Sequence, residues 1–139
     1  MKQATLFDST INLRHDLAAL VEKNGHSITL GRGENSVIQA GKNSGSPHLS
    51  KVSRNHALII YEPSTDTFVY TDYSSTNHSR IKRKGGWVMV DESQPKIVLE
   101  TGDQIYLSKS FSAGYGPLIF CQGKEGKDLN DNDGTQRVE

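Results

Sequence analysis

The sequence predicts an all-β sandwich. Three observations carry that reading: short runs rich in Val, Ile, Thr, Tyr and Phe, turn residues closing each run, and no alternation of strands with long helical patterns. His26–Gly31 (HSITLG) is a strand after the Asn24-Gly25 turn. His56–Tyr61 (HALIIY) is β-branched and apolar, and it is stopped by Pro63 and the polar Ser64-Thr65-Asp66. Thr67–Thr71 follows directly, so these two segments form a hairpin. Ser79–Arg83 and Trp87–Val90 flank a Lys84-Gly85-Gly86 turn. Ile97–Leu99 and Gln104–Leu107 flank Thr101-Gly102-Asp103, and Leu118–Cys121 is a last strand. Trp87, Tyr106 and Phe120 are expected in the core, because strand aromatics mostly pack inward.

One stretch departs from the β pattern. Leu13, Leu17, Leu20 and Val21 fall at helical spacing ahead of Asn24-Gly25, which has the look of a helix C-terminus. A short helix near residues 13–24 is expected, with a buried strand over Asp16–Val21 as the alternative. Residues 1–25 then form an N-terminal strand and short helix packed on a sandwich core spanning 26–122. Ala40–Lys51 (AGKNSGSPHLSK) reads as a loop, and 123–139 as a polar, disordered tail whose apolar residues are Leu129 and Val138.

Composition narrows the function classes. A length of 139 residues suits one domain. Lys and Arg number 16, as do Asp and Glu, so the net charge is zero. A balanced chain has no global attraction for nucleic acid or an anionic membrane, and any anion site must be a local cluster. The single cysteine, Cys121, excludes an intrachain disulfide and fits a reducing compartment. The five histidines have no metal-ligand spacing with one another or with Cys121, so neither a metal nor another cofactor is expected. No run approaches the roughly 18 apolar residues that span a bilayer. The expectation is an intracellular protein, cytoplasmic or nuclear, monomeric, with neither membrane nor nucleic acid as partner.

Three motifs sit where loops meet strand ends: Gly31-Arg32, Ser53-Arg54-Asn55-His56, and Asp72-Tyr73-Ser74-Ser75-Thr76-Asn77. Such loops cluster at the ends of a sandwich, where distant residues converge on one ligand. Arg32 and Arg54 each offer a planar fork of donors matching phosphate oxygens, and Ser53, Thr76 and Asn77 add short neutral donors. Plainer roles exist for each. Arg32 can pair with Glu34, and Thr76 and Asn77 can simply form a turn. Ser53 and His56 suggest a nucleophile and base, but at i and i+3 of a strand entry they face opposite ways, and no third orienting group is evident. Paired carboxylates are absent as well, so no enzyme is expected. Arg80, Lys82, Arg83 and Lys84 form a basic run that reads as a solvated edge, where lysine discourages strand-to-strand association.

The order Gly31-Arg32, Ser53-Arg54-x-His56, Asp72-x-x-Ser75-Thr76-Asn77 and Leu99-x-x-Gly102-Asp103-x-Ile105 resembles the forkhead-associated (FHA) domain family, from about Ile28 to Phe120. No one motif is specific; their order is. The resemblance implies a sandwich of about eleven strands whose apical loops hold phosphothreonine, hence a phosphothreonine-dependent interaction module. It places Arg32 and Ser53 on the phosphate, Arg54 beside it, Thr76 in the binding loop and Asn77 on the peptide main chain. Gly31 and His56 become supports of the loops. Lys51, Ser75 and His78 are candidates for flanking specificity, with an acidic preference read by Lys51. A phosphate-independent assembly module using a sheet face is the alternative. Three departures stand out: His78 where the family usually has Gly, a 21-position interval between Arg32 and Ser53 (53 minus 32), and no family counterpart for Leu13–Val21.

Overall fold

The computed structural model describes residues 1–73, 75–111 and 114–123. Eleven strands and one helix follow in chain order: β1 (Ala4–Asp8), β2 (Leu13–Asp16), α1 (Leu17–Asn24), β3 (Ser27–Gly31), β4 (Ile38–Gln39), β5 (Ala57–Glu62), β6 (Thr67–Asp72), β7 (Ser79–Arg83), β8 (Gly86–Val90), β9 (Lys96–Val98), β10 (Gln104–Tyr106) and β11 (Leu118–Gln122). They form a six-stranded sheet, β2-β1-β11-β10-β7-β8, and a five-stranded sheet, β4-β3-β5-β6-β9. All pairings are antiparallel except the short β3–β4 contact. Of the expected disordered tail, 123–139, all but Gly123 lies outside the described residues.

Alternation builds the core. In β1, Ala4, Leu6 and Asp8 point inward, and in β5 so do Ala57, Ile59 and Tyr61. Between the sheets, Tyr61, Phe68 and Phe120 pack ring against ring at 5.0 and 5.8 Å. Ile28, Leu30, Ile81, Ile105 and Leu118 fill the space around them, all fully buried.

Asp8 is one of several polar residues buried with this apolar layer. Its carboxylate is fully buried and accepts the Tyr115 hydroxyl at 2.7 Å, the Thr10 N–H at 3.1 Å and the Gly41 N–H at 3.3 Å. These donors meet the need of a buried anion and bind the first strand to the start of the 40–51 loop.

The helix begins later than its spacing suggests. Leu13 lies in β2, half exposed, because Leu13–Asp16 pairs with β1 after a turn that places Asn12 at φ 54°. Asp16 then caps the helix by accepting the Ala19 N–H at 3.1 Å. Gly25, at φ 85°, ends it by donating to the Val21 carbonyl at 2.9 Å. The 40–51 segment is a loop, as expected, containing a 3-10 turn over Pro47–Lys51, with Ala40 and Gly41 buried.

Two expectations about side-chain placement are corrected. Trp87 is 40% exposed and Tyr106 is half-buried, because Trp87 pairs with Lys82 on the outer face while the neighbouring Ile81 points inward. The basic run is not a solvated edge either. It lies mainly on β7, one strand in from the edge, and two of its members are consumed internally. The Arg80 guanidinium is buried, 4.6 Å from the Tyr106 ring, 4.8 Å from Phe111 and 5.3 Å from Trp87, and it donates to the Ser108 and Ser110 carbonyls.

Arg83 closes a fork on the buried Asp103, with contacts of 2.8 Å and 2.6 Å, and also reaches Glu100 and the Val98 carbonyl. Removing Arg83 strands a buried carboxylate. Arg83→Ala is therefore expected to cost about 3 kcal/mol in urea denaturation, while the exposed Lys84→Ala changes stability by under about 0.5 kcal/mol.

Candidate functional site

The three motifs meet at one end of the sandwich. Gly31 ends β3 against the 53–56 segment, and the two backbones lie in direct contact. Arg32 N–H donates to the Ser53 carbonyl at 3.0 Å, Gly33 N–H to the Arg54 carbonyl at 3.1 Å, and His56 N–H to the Leu30 carbonyl at 2.9 Å. A Cβ on Gly31 would stand 2.0 Å from the Arg54 oxygen, so glycine alone permits this approach. The Arg32 side chain is aimed by its own Nε, which donates to the Val52 carbonyl at 2.9 Å. Among the described residues, neither terminal nitrogen of Arg32 has a hydrogen-bond partner.

Arg32 does not pair with Glu34. Among the described residues, Arg32, Arg54 and Lys51 make no ion pair with any carboxylate. Arg54 and Lys51 are exposed. Arg32, Gly33, Glu34, Asn35, Arg54 and Asn55 line an open depression of about 440 Å³. Uncompensated guanidinium groups around a depression attract an anion.

His56 stitches the loops from below. It is fully buried; its Nδ1 accepts the Ser53 N–H at 3.0 Å, which puts the proton on Nε2, 2.5 Å from the His78 carbonyl. Both ring nitrogens are thus committed to backbone, and the ring is not a base for the Ser53 hydroxyl. That hydroxyl instead accepts the Thr76 N–H at 3.1 Å, drawing the third loop against the second. Asn77 completes the seam by donating Nδ2 to the Lys51 carbonyl at 2.9 Å.

Burial holds the His56 pKa below the ordinary histidine value, against a smaller upward pull from its bond to His78 and from Asp72. A histidine kept neutral in the fold but free to protonate when unfolded contributes stability in full above about pH 6.5. As pH falls below that value the unfolded chain takes up the proton first, and the contribution is lost. His15, also shifted down by burial, adds to the slope. Urea midpoints should therefore fall between pH 7.5 and pH 5, less steeply in His56→Gln; equal slopes would remove His56 from this account.

The candidate flanking residues divide. Lys51 stands exposed at the end of its 3-10 turn. Ser75 is turned inward at 5% exposure; its hydroxyl donates to Asp72 at 2.6 Å and accepts the His78 N–H at 3.0 Å. His78 adopts φ 60°, the left-handed conformation that glycine would enter freely. Its ring is held by two carboxylates, Nδ1 on Asp72 at 3.1 Å and Nε2 on Glu92 at 3.0 Å. These contacts hold a non-glycine residue in an uncommon backbone region and keep the loop closed. Glu92 is absent from the sequence motifs, and nothing in the sequence marks it. Tyr73, within the third motif, is 48% exposed beside the loop. Among the described residues, no group of three or more His, Cys, Asp or Glu is arranged to hold a metal, and no helix is long and apolar enough to cross a membrane.

The family model of the FHA domain matches residues 28–108, more than half of the chain. The chain belongs to the FHA family. Comparison with curated protein sequences gave no match. Solved structures similar to this FHA chain include the N-terminal FHA domain of Saccharomyces cerevisiae Rad53p in complex with a phosphothreonine peptide. It has TM-score 0.61 and 20% identity, covering 87% of this chain and 94% of that one. The yeast splicing factor Pml1 has TM-score 0.59 and 20% identity, covering 90% and 81%. Mycobacterium tuberculosis EmbR, solved with a low-affinity phosphopeptide, has TM-score 0.59 and 19% identity, covering 92% of this chain and 26% of its own. The present chain thus spans about a quarter of EmbR. At these identities the likeness shows the FHA fold: two sheets, eleven strands and the apical loops just described.

Proposed function

We propose that the chain is a phosphothreonine-dependent protein–protein interaction module that takes a phosphorylated segment of an intracellular partner across its apical loops. The observation that carries this reading is the state of Arg32: aimed by the Val52 carbonyl, unpaired with any carboxylate among the described residues, and set beside Ser53 and Arg54. A phosphothreonine brings about −1.5 to −2 charges and three acceptor oxygens. In this reading the Arg32 terminal nitrogens and the Ser53 hydroxyl take the phosphate, Arg54 balances the remaining charge, and the Thr76 side chain lies alongside. Asn77 spends one amide proton on Lys51, and its carbonyl oxygen and other proton serve the peptide main chain. Lys51 favours an acidic residue downstream of the phosphothreonine. Ser75 and His78 act by holding the loop and not by touching the peptide. Rad53p and EmbR, each solved with a phosphorylated peptide, support the class of ligand. No catalytic role is assigned.

A degenerate phosphopeptide library tests this. The expected result is selection of phosphothreonine over unphosphorylated threonine, and a preference over phosphoserine of about fourfold if the extra methyl is buried. Equal binding with and without phosphate would sink the reading.

A further inference from the structure

Lys51 to Asn55 form a spine along the apical end, and a different loop leans on each half of it. The Lys51 half carries the third loop: the Lys51 carbonyl accepts Asn77 Nδ2, and the Ser53 hydroxyl accepts the Thr76 N–H. The Arg54 half carries the turn at 33–36. There the Arg54 carbonyl accepts the Gly33 N–H at 3.1 Å and the Ser36 hydroxyl at 2.9 Å. The depression lined by Arg32, Glu34, Asn35, Arg54 and Asn55 therefore lies at the end away from Asn77 and Lys51. A peptide with its phosphate at Arg32 and Ser53 and its main chain at Asn77 has two flanks. One passes over Lys51, and the other passes over this depression.

The lining is not uniformly basic. Glu34 is exposed, and among the described residues its carboxylate has neither an ion pair nor a hydrogen bond. Asn35 and Asn55 are exposed as well, and each brings an amide oxygen to the same depression. Without a ligand, the two guanidinium groups outweigh the one carboxylate. A phosphothreonine, with about −1.5 to −2 charges, balances both arginines, and Glu34 is then the charge left over. The bound phosphate thus reverses the sign of the depression. An ammonium or guanidinium group meets a carboxylate and amide oxygens there, whereas a second acid meets Glu34 as a like charge.

We propose that this depression is a subsite for a basic side chain, in which Glu34 selects a lysine or arginine just upstream of the phosphothreonine. The inference rests on the phosphothreonine reading above, which puts Lys51 on the downstream side. Three extended residues cover about 10 Å, so the selected residue stands within about three positions of the phosphothreonine. With Lys51 favouring an acid on the other flank, the partner segment runs from basic through phosphothreonine to acidic. Glu34 then serves specificity, and the arginines serve affinity.

Isothermal titration tests this with phosphothreonine peptides that carry lysine, alanine or glutamate at each of the three upstream positions. Each is measured beside its unphosphorylated counterpart, at one ionic strength. At one of these positions the wild type should prefer lysine over glutamate by about fivefold. Glu34→Gln should reduce that preference to within about twofold, and Glu34→Lys should reverse it. Glu62→Lys makes the same change in net charge at the exposed far end of β5, and should leave the preference in place. Phosphate-dependent binding by each variant shows that its site is folded. A wild type that keeps its phosphate dependence but binds the lysine and glutamate peptides equally, or prefers glutamate, would overturn the subsite alone. So would a preference that survives Glu34→Gln, or one that Glu62→Lys also reverses. Binding indifferent to phosphate throughout would overturn the phosphothreonine reading and this inference with it.

Discussion

Arg32→Ala is expected to lower affinity for a phosphothreonine peptide by about a hundredfold while leaving binding of the unphosphorylated peptide unchanged. The magnitude follows from the contact. A charge-assisted hydrogen bond is worth about 1.5–3 kcal/mol, and the two terminal nitrogens of Arg32 supply a pair of them. Stability changes less, because the substitution loses one bond to the Val52 carbonyl in a half-buried setting, about 1 kcal/mol. Arg32→Lys separates charge from geometry. It keeps the cation but loses both the fork and the Nε that aims it, so most of the hundredfold loss should remain. Isothermal titration at one fixed ionic strength gives all three affinities. An Arg32→Lys variant as tight as wild type would mean that net charge, and not the aimed fork, holds the phosphate.

The second large effect is on stability. In Gly31→Ala, the new methyl is directed at the Arg54 carbonyl, 2.0 Å from its oxygen and 2.7 Å from its carbon. No rotamer relieves this, since both clashing groups are backbone. The β3 end and the 53–56 segment must separate, stretching the three backbone bonds that join them. We expect a loss of about 3 kcal/mol and a Tm drop of about 10–15 °C, with phosphopeptide binding reduced because Arg32 and Ser53 shift apart. Gly25→Ala is the contrasting case. At Gly25 a Cβ meets nothing within 4 Å, and the cost is confined to the backbone conformation, φ 85° and ψ −172°, about 1–2 kcal/mol. Calorimetry on the two variants distinguishes close approach from backbone conformation; equal losses would remove the steric account of Gly31.

The sandwich was legible because its strands announce themselves locally. β5 and β6 need only their own alternation and the Pro63–Asp66 break to be found, and their paired register runs from Ala57 opposite Asp72 to Glu62 opposite Thr67. Leu13 was misplaced because its strand exists only through pairing with β1, a tertiary contact that helical spacing cannot reveal. Trp87 was misplaced for a related reason: the turn before it sets which parity faces out, and a one-residue difference reverses every side chain. At the site, Arg32, Ser53 and His56 were readable as motif members. The direction of Ser75 was not, because an inward hydroxyl and an outward one have the same sequence. The Glu92 contact with His78 was also hidden, being an exposed glutamate in a turn that acquires a partner only when β7 and β8 are in place.

The first strand and the last are hydrogen-bonded neighbours, Ala4 opposite Gln122 and Asp8 opposite Leu118. On the ribosome, β1 therefore precedes its central partner by 110 residues (118 minus 8). The six-stranded sheet cannot close from its N-terminal side until synthesis passes residue 122, and contacts of such long sequence separation slow folding further. All the apical residues are made within that interval, but they are held by two sheets of which one is still incomplete. A chain halted just after its binding motifs would contain every residue of the site and lack the framework that orients them. Competence to bind should thus arrive late and abruptly, with the closing strand and not with the motifs.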